Sequence, residues 1–294
     1  MRIGWLGLGA MGGPMAACLA RAGHQVHGYD IAPERTAALA AAGGHAASSI
    51  AAAVAGADLA AIMVATPDQL GQVLSGPDGV AAVLPAGAIV LIMATVGPAA
   101  VQAAASLLAG RGSTVLDAPV SGGVTRAAAG DLLIMVSGPD AAIGQARPVL
   151  DVLARTAPVV GPAAGDGQRM KLVNQLLCGV HIAAAAEALA FAESLGLRPA
   201  DCWQVLRDGA AASFMFADRG ERMVSGQFGH VRSALDIFVK DMGLVTAAAG
   251  ESGAGTPLAR AAAQLYRQGH ELGLGGLDDA ALIDVLRAGR TAPQ

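Results

Sequence analysis

Lysine and asparagine are almost absent from this chain of 294 residues, and that gives chemical interest to the few it keeps. Lys171 and Lys240 are its only lysines and Asn174 its only asparagine, while arginine supplies the remainder of its 19 lysines and arginines. An ammonium is a compact charge whose pKa moves readily on burial, whereas a guanidinium stays charged and cannot shuttle protons. Using arginine wherever a cation will serve, and lysine at two places, points to proton transfer or a point-charge contact at those two. Lys171 and Asn174 are three residues apart in a helix-forming stretch, so their side chains share one face. Skewed composition could account for each count singly, so the neighbouring residues must decide.

The first neighbourhood is a glycine loop. The apolar run Arg2–Leu6 feeds directly into Gly7, Leu8, Gly9, Ala10, Met11 and Gly12, a G-x-G-x-x-G pattern with a strand before it and a helical pattern after it. Gly7 permits the tight turn, Gly9 the approach of a pyrophosphate to the backbone, and Gly12 the packing of helix on sheet. The helix N-terminus then presents free N–H groups and a positive dipole end to phosphate. With 40 glycines in the chain, such a pattern also arises as a plain turn. A second strand ending at Gly28-Tyr29-Asp30 separates the two readings, because Asp30 stands where an acid binds the adenosine ribose. A carboxylate there accepts from a 2′-hydroxyl and repels a 2′-phosphate, which favours NAD over NADP. Arg35, five residues on, is read as an exposed helix residue.

The elements that must position these groups fall into two sets that meet near residue 162. Before it, apolar runs at Arg2–Leu6, Gln25–Asp30, Leu59–Val64, Ala88–Met93, Thr114–Ala118 and Leu132–Ser137 alternate with alanine-rich helical patterns. That rhythm is a series of βαβ units and a mainly parallel sheet. After it, strand signals vanish. One helix is expected from Gly167 to Leu195, stopped by Gly196-Leu197-Arg198-Pro199, then others at 199–208, 233–251, 257–271 and 278–288. The expected fold is therefore α/β: an N-terminal Rossmann domain at 1–162 with a doubly wound, mainly parallel sheet, a long interdomain helix, and an all-α C-terminal domain at 163–294 for substrate and dimerisation.

Composition narrows the function classes. Hydrophobic residues make up 54% and charged residues 14%, with much of the apolar share being alanine, which suits close helix packing. The longest apolar stretch, Leu176–Ala192, contains His181 and Glu187, which argues against a membrane span. The N-terminus runs straight into the first strand without a signal-peptide pattern. Three cysteines without Cys-x-x-Cys spacing indicate neither a disulfide framework nor a zinc site, so no metal is expected and a reduced, cytoplasmic location fits. A net charge of -4 with dispersed arginines leaves no nucleic-acid footprint.

Two further segments carry polar chemistry. Asp117-Ala118-Pro119-Val120-Ser121-Gly122-Gly123 follows the strand 114–118, on the carboxyl side of the sheet, where open α/β folds bind ligands. Ser121, Gly122 and Gly123 offer a hydroxyl and successive N–H groups, a small anion nest, although an ordinary turn has the same composition. Gly165-Asp166-Gly167-Gln168-Arg169-Met170-Lys171-Leu172-Val173-Asn174-Gln175 opens the long helix, with Lys171, Asn174 and Gln175 on one face.

Together these segments resemble the beta-hydroxyacid dehydrogenase family over nearly the whole chain. Gly7–Met15 looks like its N-terminal cofactor motif, Asp117–Gly123 its substrate motif, Gly165–Gln175 its catalytic motif and Lys240-Asp241 its C-terminal cofactor motif. The resemblance implies that Lys171 is the catalytic lysine, assisted by Asn174, and that Lys240 closes over the nicotinamide side of NAD. Met93-Ala94-Thr95-Val96 occupies a Ser-Thr position of the family, giving Thr95 a contact with cofactor or substrate; Ala94 departs from the usual serine. Gln175 departs from the common second asparagine and reads as substrate tuning. Within the family, Asn174–Ala183 and Ser233–Asp241 look most like L-threonate dehydrogenases. The implied reaction is hydride transfer from a hydroxyl-bearing carbon, with Ser121, Gly122 and Gly123 holding the substrate carboxylate and Lys171, its pKa lowered by burial and the nicotinamide charge, taking the hydroxyl proton. For L-threonate the product would be 2-dehydro-L-erythronate, with Gln175 and Asp236 as further polar partners and Ser213–Phe216 as an apolar wall. His181, ten residues beyond Lys171, reads as a packed or interfacial histidine. The alternatives are a sibling acting on 3-hydroxyisobutyrate or tartronate semialdehyde, and more remotely a non-catalytic dinucleotide-binding regulator. The expected partners are a small hydroxy acid and further copies of the chain in a dimer or tetramer, with no nucleic acid and no membrane.

Overall fold

The computed structural model describes residues 1–76 and 78–289. The chain begins with β1 (Arg2–Leu6), α1 (Gly12–Arg21), β2 (Gln25–Tyr29), α2 (Pro33–Ala41), β3 (His45–Ala46) and α3 (Ile50–Val54). It continues through β4 (Leu59–Ile62), α4 (Pro67–Ser75), α5 (Val80–Val83), β5 (Ile89–Ile92), α6 (Pro98–Ala109) and β6 (Thr114–Asp117). The order across the sheet is β3-β2-β1-β4-β5-β6, all parallel. This is the strand order of a doubly wound dinucleotide-binding fold, and it reverses direction between β1 and β4. The local causes are plain in the residues. Leu-Ala-Ala-Ile and Ile-Val-Leu-Ile, the whole of β4 and β5, are buried on both faces, as central parallel strands must be. Ser49 and Thr66 cap α3 and α4 by accepting from the N–H of Ala52 and Gln69. Proline stands at the first turn of α2, α4 and α6, where its missing N–H has no partner to lose.

The remaining strands are short. They are β7 (Val120–Ser121), β8 (Leu132–Ile134), β9 (Val136–Ser137), β10 (Ala154–Thr156) and β11 (Val159–Gly161), with α7 (Gly123–Ala129) and α8 (Asp140–Leu153) between them. Two strands extend the main sheet: β9, antiparallel to β6, and then β11, parallel to β9. A second sheet has the order β10-β8-β7. The apolar run 132–137 is thus two strands rather than one. Met135 leaves the ladder between them, its N–H donating to the carbonyl of Pro119 at 3.0 Å. Pieces of two or three residues, such as β3, β7, β10 and β11, carry too little alternation to be read from sequence.

Chain packing divides the molecule into two compact units that meet at Lys171 and Leu172. The division lies inside α9 (Asp166–Ser194), a helix of 29 residues. By length and composition α9 is one helix that could cross a membrane, but half of its most apolar window is buried within the structure, and a core helix passes the same test. The second unit is helical: α10 (Pro199–Leu206), α11 (Phe214–Ser225), α12 (Leu235–Ser252), α13 (Pro257–Glu271), a 3₁₀ turn at Asp279–Ala281 and α14 (Leu282–Ala288). On α13 the buried residues Ala259, Ala262, Ala263, Tyr266 and Gly269 form a stripe at helical spacing. Tyr266 is fully buried, stacks on Phe238, and donates its hydroxyl to the carbonyl of Gly179 at 3.1 Å. Burial pushes its phenol well above the ordinary range. The segment 213–216 belongs to α11, and Ser213 is the cap of that helix, accepting from the N–H of Phe216 at 2.9 Å.

A buried charge cluster ties α11 to the 3₁₀ turn. Asp278, 1% exposed, accepts from Arg222 at 2.5 and 2.7 Å and from the N–H of Arg232 at 2.9 Å. Asp279 pairs with Arg219, and Asp218 pairs with both arginines. Burial raises the Asp279 carboxyl above its usual range, whereas Asp218, less enclosed and flanked by Arg219 and Arg222, is held below it. Removing one member of such a cluster strands a buried charge. Asp278→Ala should therefore lower unfolding free energy by about 3–5 kcal/mol, measured by chemical denaturation followed by far-ultraviolet circular dichroism.

Candidate active site

The glycine loop lies at the carboxyl end of β1, beside the point where the sheet changes direction. Gly7 has φ +94°, and a Cβ there would meet the carbonyl oxygen of Met63 at 2.3 Å. A Cβ on Gly12 would meet the carbonyl oxygen of Gly7 at 2.0 Å. Gly9 is different: no heavy atom lies within 4 Å of where its Cβ would be. Two glycines are thus demanded by the protein's own backbone, while the third faces open space. The buried Trp5 braces the turn by donating its indole N–H to the carbonyl of Gly7 at 3.0 Å. Leu8 is buried and Ala10 exposed, and Met11 leads into α1.

Asp30 follows β2 and reaches back to this loop. One carboxylate oxygen accepts from the N–H of Leu8 at 2.7 Å, and the other from the N–H of Ala32 at 2.9 Å. Arg35 is not merely an exposed helix residue, because its guanidinium lies 3.2 and 3.4 Å from the two oxygens. A pocket of about 460 Å³ beside them is lined by Leu8, Gly9, Pro14, Glu34, Arg35 and Leu39. An open Cα face at the loop, and an acid beside an apolar pocket, fit the pyrophosphate and adenosine portion of a dinucleotide.

The start of α9 is anchored by a buried polar network. Asp117 at the end of β6 is fully buried and accepts from the backbone N–H groups of Gly165 (3.0 Å) and Gln168 (2.8 Å) and from the Gln168 amide (2.8 Å). Burial raises the Asp117 carboxyl, and these three donors oppose the rise. The same Gln168 accepts from the N–H groups of Val96 and Gly97, each at 2.9 Å, and donates to the carbonyl of Ala94 at 3.0 Å. Ser137 accepts from the N–H of Gly167 at 2.9 Å. Thr95 is therefore held between two residues pinned by one glutamine. Gly165 and Gly167 make the wrap possible: the first has φ +102°, and a Cβ on the second would meet Asp117 at 2.9 Å. Lys171, 6% exposed, lies three residues beyond Gln168 on the helix. Ser121 ends β7 and is half-buried; Gly122 and Gly123 follow with φ +144° and +77°, and the Cβ position of Gly123 is open.

The second unit carries its own chain of contacts. Asn174 donates to the Gln175 side-chain oxygen at 2.8 Å, Gln175 donates to Asp241, and Lys240 pairs with Asp241 at 2.6 Å. Asp241, 2% exposed, is the hub that joins the helix face of Asn174 to Lys240. The sequence signal for Asp241 is a carboxylate beside one of only two lysines. Nothing in the type of Gln168 foretells its five hydrogen bonds to the network around Asp117. Asp236 faces His270 at 2.7 Å, with both side chains well exposed. His181 is half-exposed on α9. No group of side chains among the described residues could hold a metal ion.

Comparison with known proteins agrees with this layout. Residues 2–161 match the NAD binding domain of 6-phosphogluconate dehydrogenase, and residues 165–286 match the NAD-binding model of NADP-dependent 3-hydroxyisobutyrate dehydrogenase. The chain is 41% identical to L-threonate dehydrogenase of Cupriavidus necator, over 96% of this chain and 95% of that protein. It is 33% identical to 2-hydroxy-3-oxopropionate reductase of Escherichia coli, over 97% of each. The crystal structure of 3-hydroxyisobutyrate dehydrogenase from Salmonella typhimurium superposes with a TM-score of 0.91 at 38% identity, covering 96% of this chain and 99% of that one. The chain belongs to the beta-hydroxyacid dehydrogenase family. As a beta-hydroxyacid dehydrogenase it is an oxidoreductase of CH–OH groups that uses a nicotinamide dinucleotide.

The contrast between Gly9 and Gly12 gives this dehydrogenase a clean test. Gly9→Ala should leave the melting temperature close to wild type but cost at least about tenfold in dinucleotide affinity, because the new methyl meets only the approaching pyrophosphate. Gly12→Ala should lower both, since backbone must move. Calorimetric titration with NAD and a thermal melt on each variant separate the two.

Proposed function

We propose that this dehydrogenase oxidises L-threonate to 2-dehydro-L-erythronate with NAD as acceptor. The observation that supports this reading most strongly is 41% identity, along nearly the full length of both chains, to a protein of that activity. In this reading residues 1–162 carry the cofactor and 163–294 the substrate-binding and dimerisation functions. Gly7, Leu8, Gly9, Ala10, Met11 and Gly12 cradle the pyrophosphate, Asp30 takes the ribose hydroxyl, and Thr95 and Lys240 serve the rest of the dinucleotide. When bound, the nicotinamide supplies the hydride acceptor.

The chain's own residues supply position and protons. Ser121, Gly122 and Gly123 hold the substrate carboxylate with one hydroxyl and N–H donors. Lys171 is the general base that takes the proton from the reacting hydroxyl and, in reverse, the general acid that returns it. Asn174 orients the hydroxyl on the same helix face. Gln175, with its amide engaged by Asn174 and Asp241, acts on the substrate by fixing Asn174. The protein works in the cytoplasm as a homodimer or homotetramer, and the exposed Val173, Leu177, Phe191 and Leu195 of α9 are candidates for burial between copies. A second reading, 3-hydroxyisobutyrate as substrate, is favoured by the name of the Salmonella structure.

Two measurements test the proposal. Lys171→Arg keeps the charge but cannot shuttle a proton, so turnover should fall by about a hundredfold or more with NADH affinity near wild type; retention of a tenth of wild-type turnover would exclude Lys171 as acid/base. A substrate panel followed at the NADH absorbance should rank L-threonate above 3-hydroxyisobutyrate and tartronate semialdehyde. The margin over 3-hydroxyisobutyrate should be several orders of magnitude in kcat/KM, because an analogue without the extra hydroxyls leaves site polar groups unpaired. Equal or reversed efficiencies would move the chain to the sibling branch.

A further inference from the structure

The Asp30–Arg35 pair has an arithmetic that the ribose contact must respect. A carboxylate offers about four acceptor sites. In this structure four contacts already occupy Asp30: one from the N–H of Leu8, one from the N–H of Ala32, and two from Arg35, which lies across both oxygens. The two backbone donors are fixed by the loop and by the start of α2. Arg35 is the mobile one, on a side chain 49% exposed against 6% for Asp30. A ribose 2′-hydroxyl can share the carboxylate only if Arg35 shifts, and the same guanidinium lines the pocket that this ribose would enter.

We propose that Arg35 is a cofactor-discriminating residue held in check by Asp30. With the carboxylate in place, the guanidinium is neutralised at close range, and Asp30 and the pocket-lining Glu34 oppose a 2′-phosphate. Without it, Arg35 is a planar, permanently charged donor suited to bind phosphate with two parallel N–H bonds. The site thus contains a latent 2′-phosphate subsite, suppressed by one residue. The inference rests on the NAD reading given above, and deepens it by naming the group that the carboxylate acts through.

The test uses adenosine fragments, so no turnover is required. Wild type, Asp30→Asn, Arg35→Ala and the double variant are titrated calorimetrically with 5′-AMP and with adenosine 2′,5′-bisphosphate. Asn keeps an oxygen for the N–H of Leu8; Asp30→Ala is run in parallel, and thermal melts confirm which variants are folded. The expected result is that wild type prefers 5′-AMP and that Asp30→Asn binds the bisphosphate at least tenfold more tightly than wild type. That gain should disappear in the double variant. A gain of equal size in the double variant, or no gain in either Asp30 variant, overturns the role of Arg35 while leaving the NAD reading intact. Preference of the wild type for the bisphosphate overturns both.

Discussion

The start of α9 in this dehydrogenase hangs on one buried carboxylate. Asp117 sits at the tip of β6 with no exposure, and it accepts from the N–H of Gly165, just before α9, and from the backbone N–H and side-chain amide of Gln168 in the first turn of that helix. A buried acid is costly unless its oxygens are satisfied, and here satisfaction comes only from a helix that starts at one place and in one rotational setting. Lys171, one turn further on, inherits that setting. Gln168 extends the constraint sideways by fixing the loop around Thr95 through both halves of its amide.

A similar economy holds in the second unit. Asp241 collects Gln175 on one oxygen and Lys240 on the other, and Gln175 passes the constraint to Asn174. The departure of Gln175 from the asparagine common in the family acquires a structural meaning from this: the longer amide spans from its own helix to Asp241 on α12. Each unit therefore has a buried carboxylate that fixes the side chains around it.

How much of this was legible beforehand varied with the range of the forces involved. The parallel sheet, the long helix and the helical second half followed from periodicity, because burial on one face or two imposes a repeat that the sequence must display. The glycine loop could be read because backbone geometry excludes other residues at Gly7 and Gly12. What could not be read were contacts that depend on tertiary placement: Gln168 on Asp117, Asp241 on Gln175, and Arg35 folded back on Asp30. The division of 132–137 between two sheets was equally hidden, since both halves are apolar and only the pairing of Met135 with Pro119 separates them. The capping of α11 by Ser213 was equally hidden.

The knot at Asp117 also bears on how such a gene can be recombined. A crossover placed between residues 162 and 163, where the change from mixed to helical pattern invites it, would take Asp117 and Ser137 from one parent and Gly165, Gly167 and Gln168 from the other. Unless both parents shared these five residues, the chimera would bury a carboxylate facing the wrong donors. The heritable module therefore extends through the first turn of α9, and exchange of the helical half between relatives is safest from Leu172 onward.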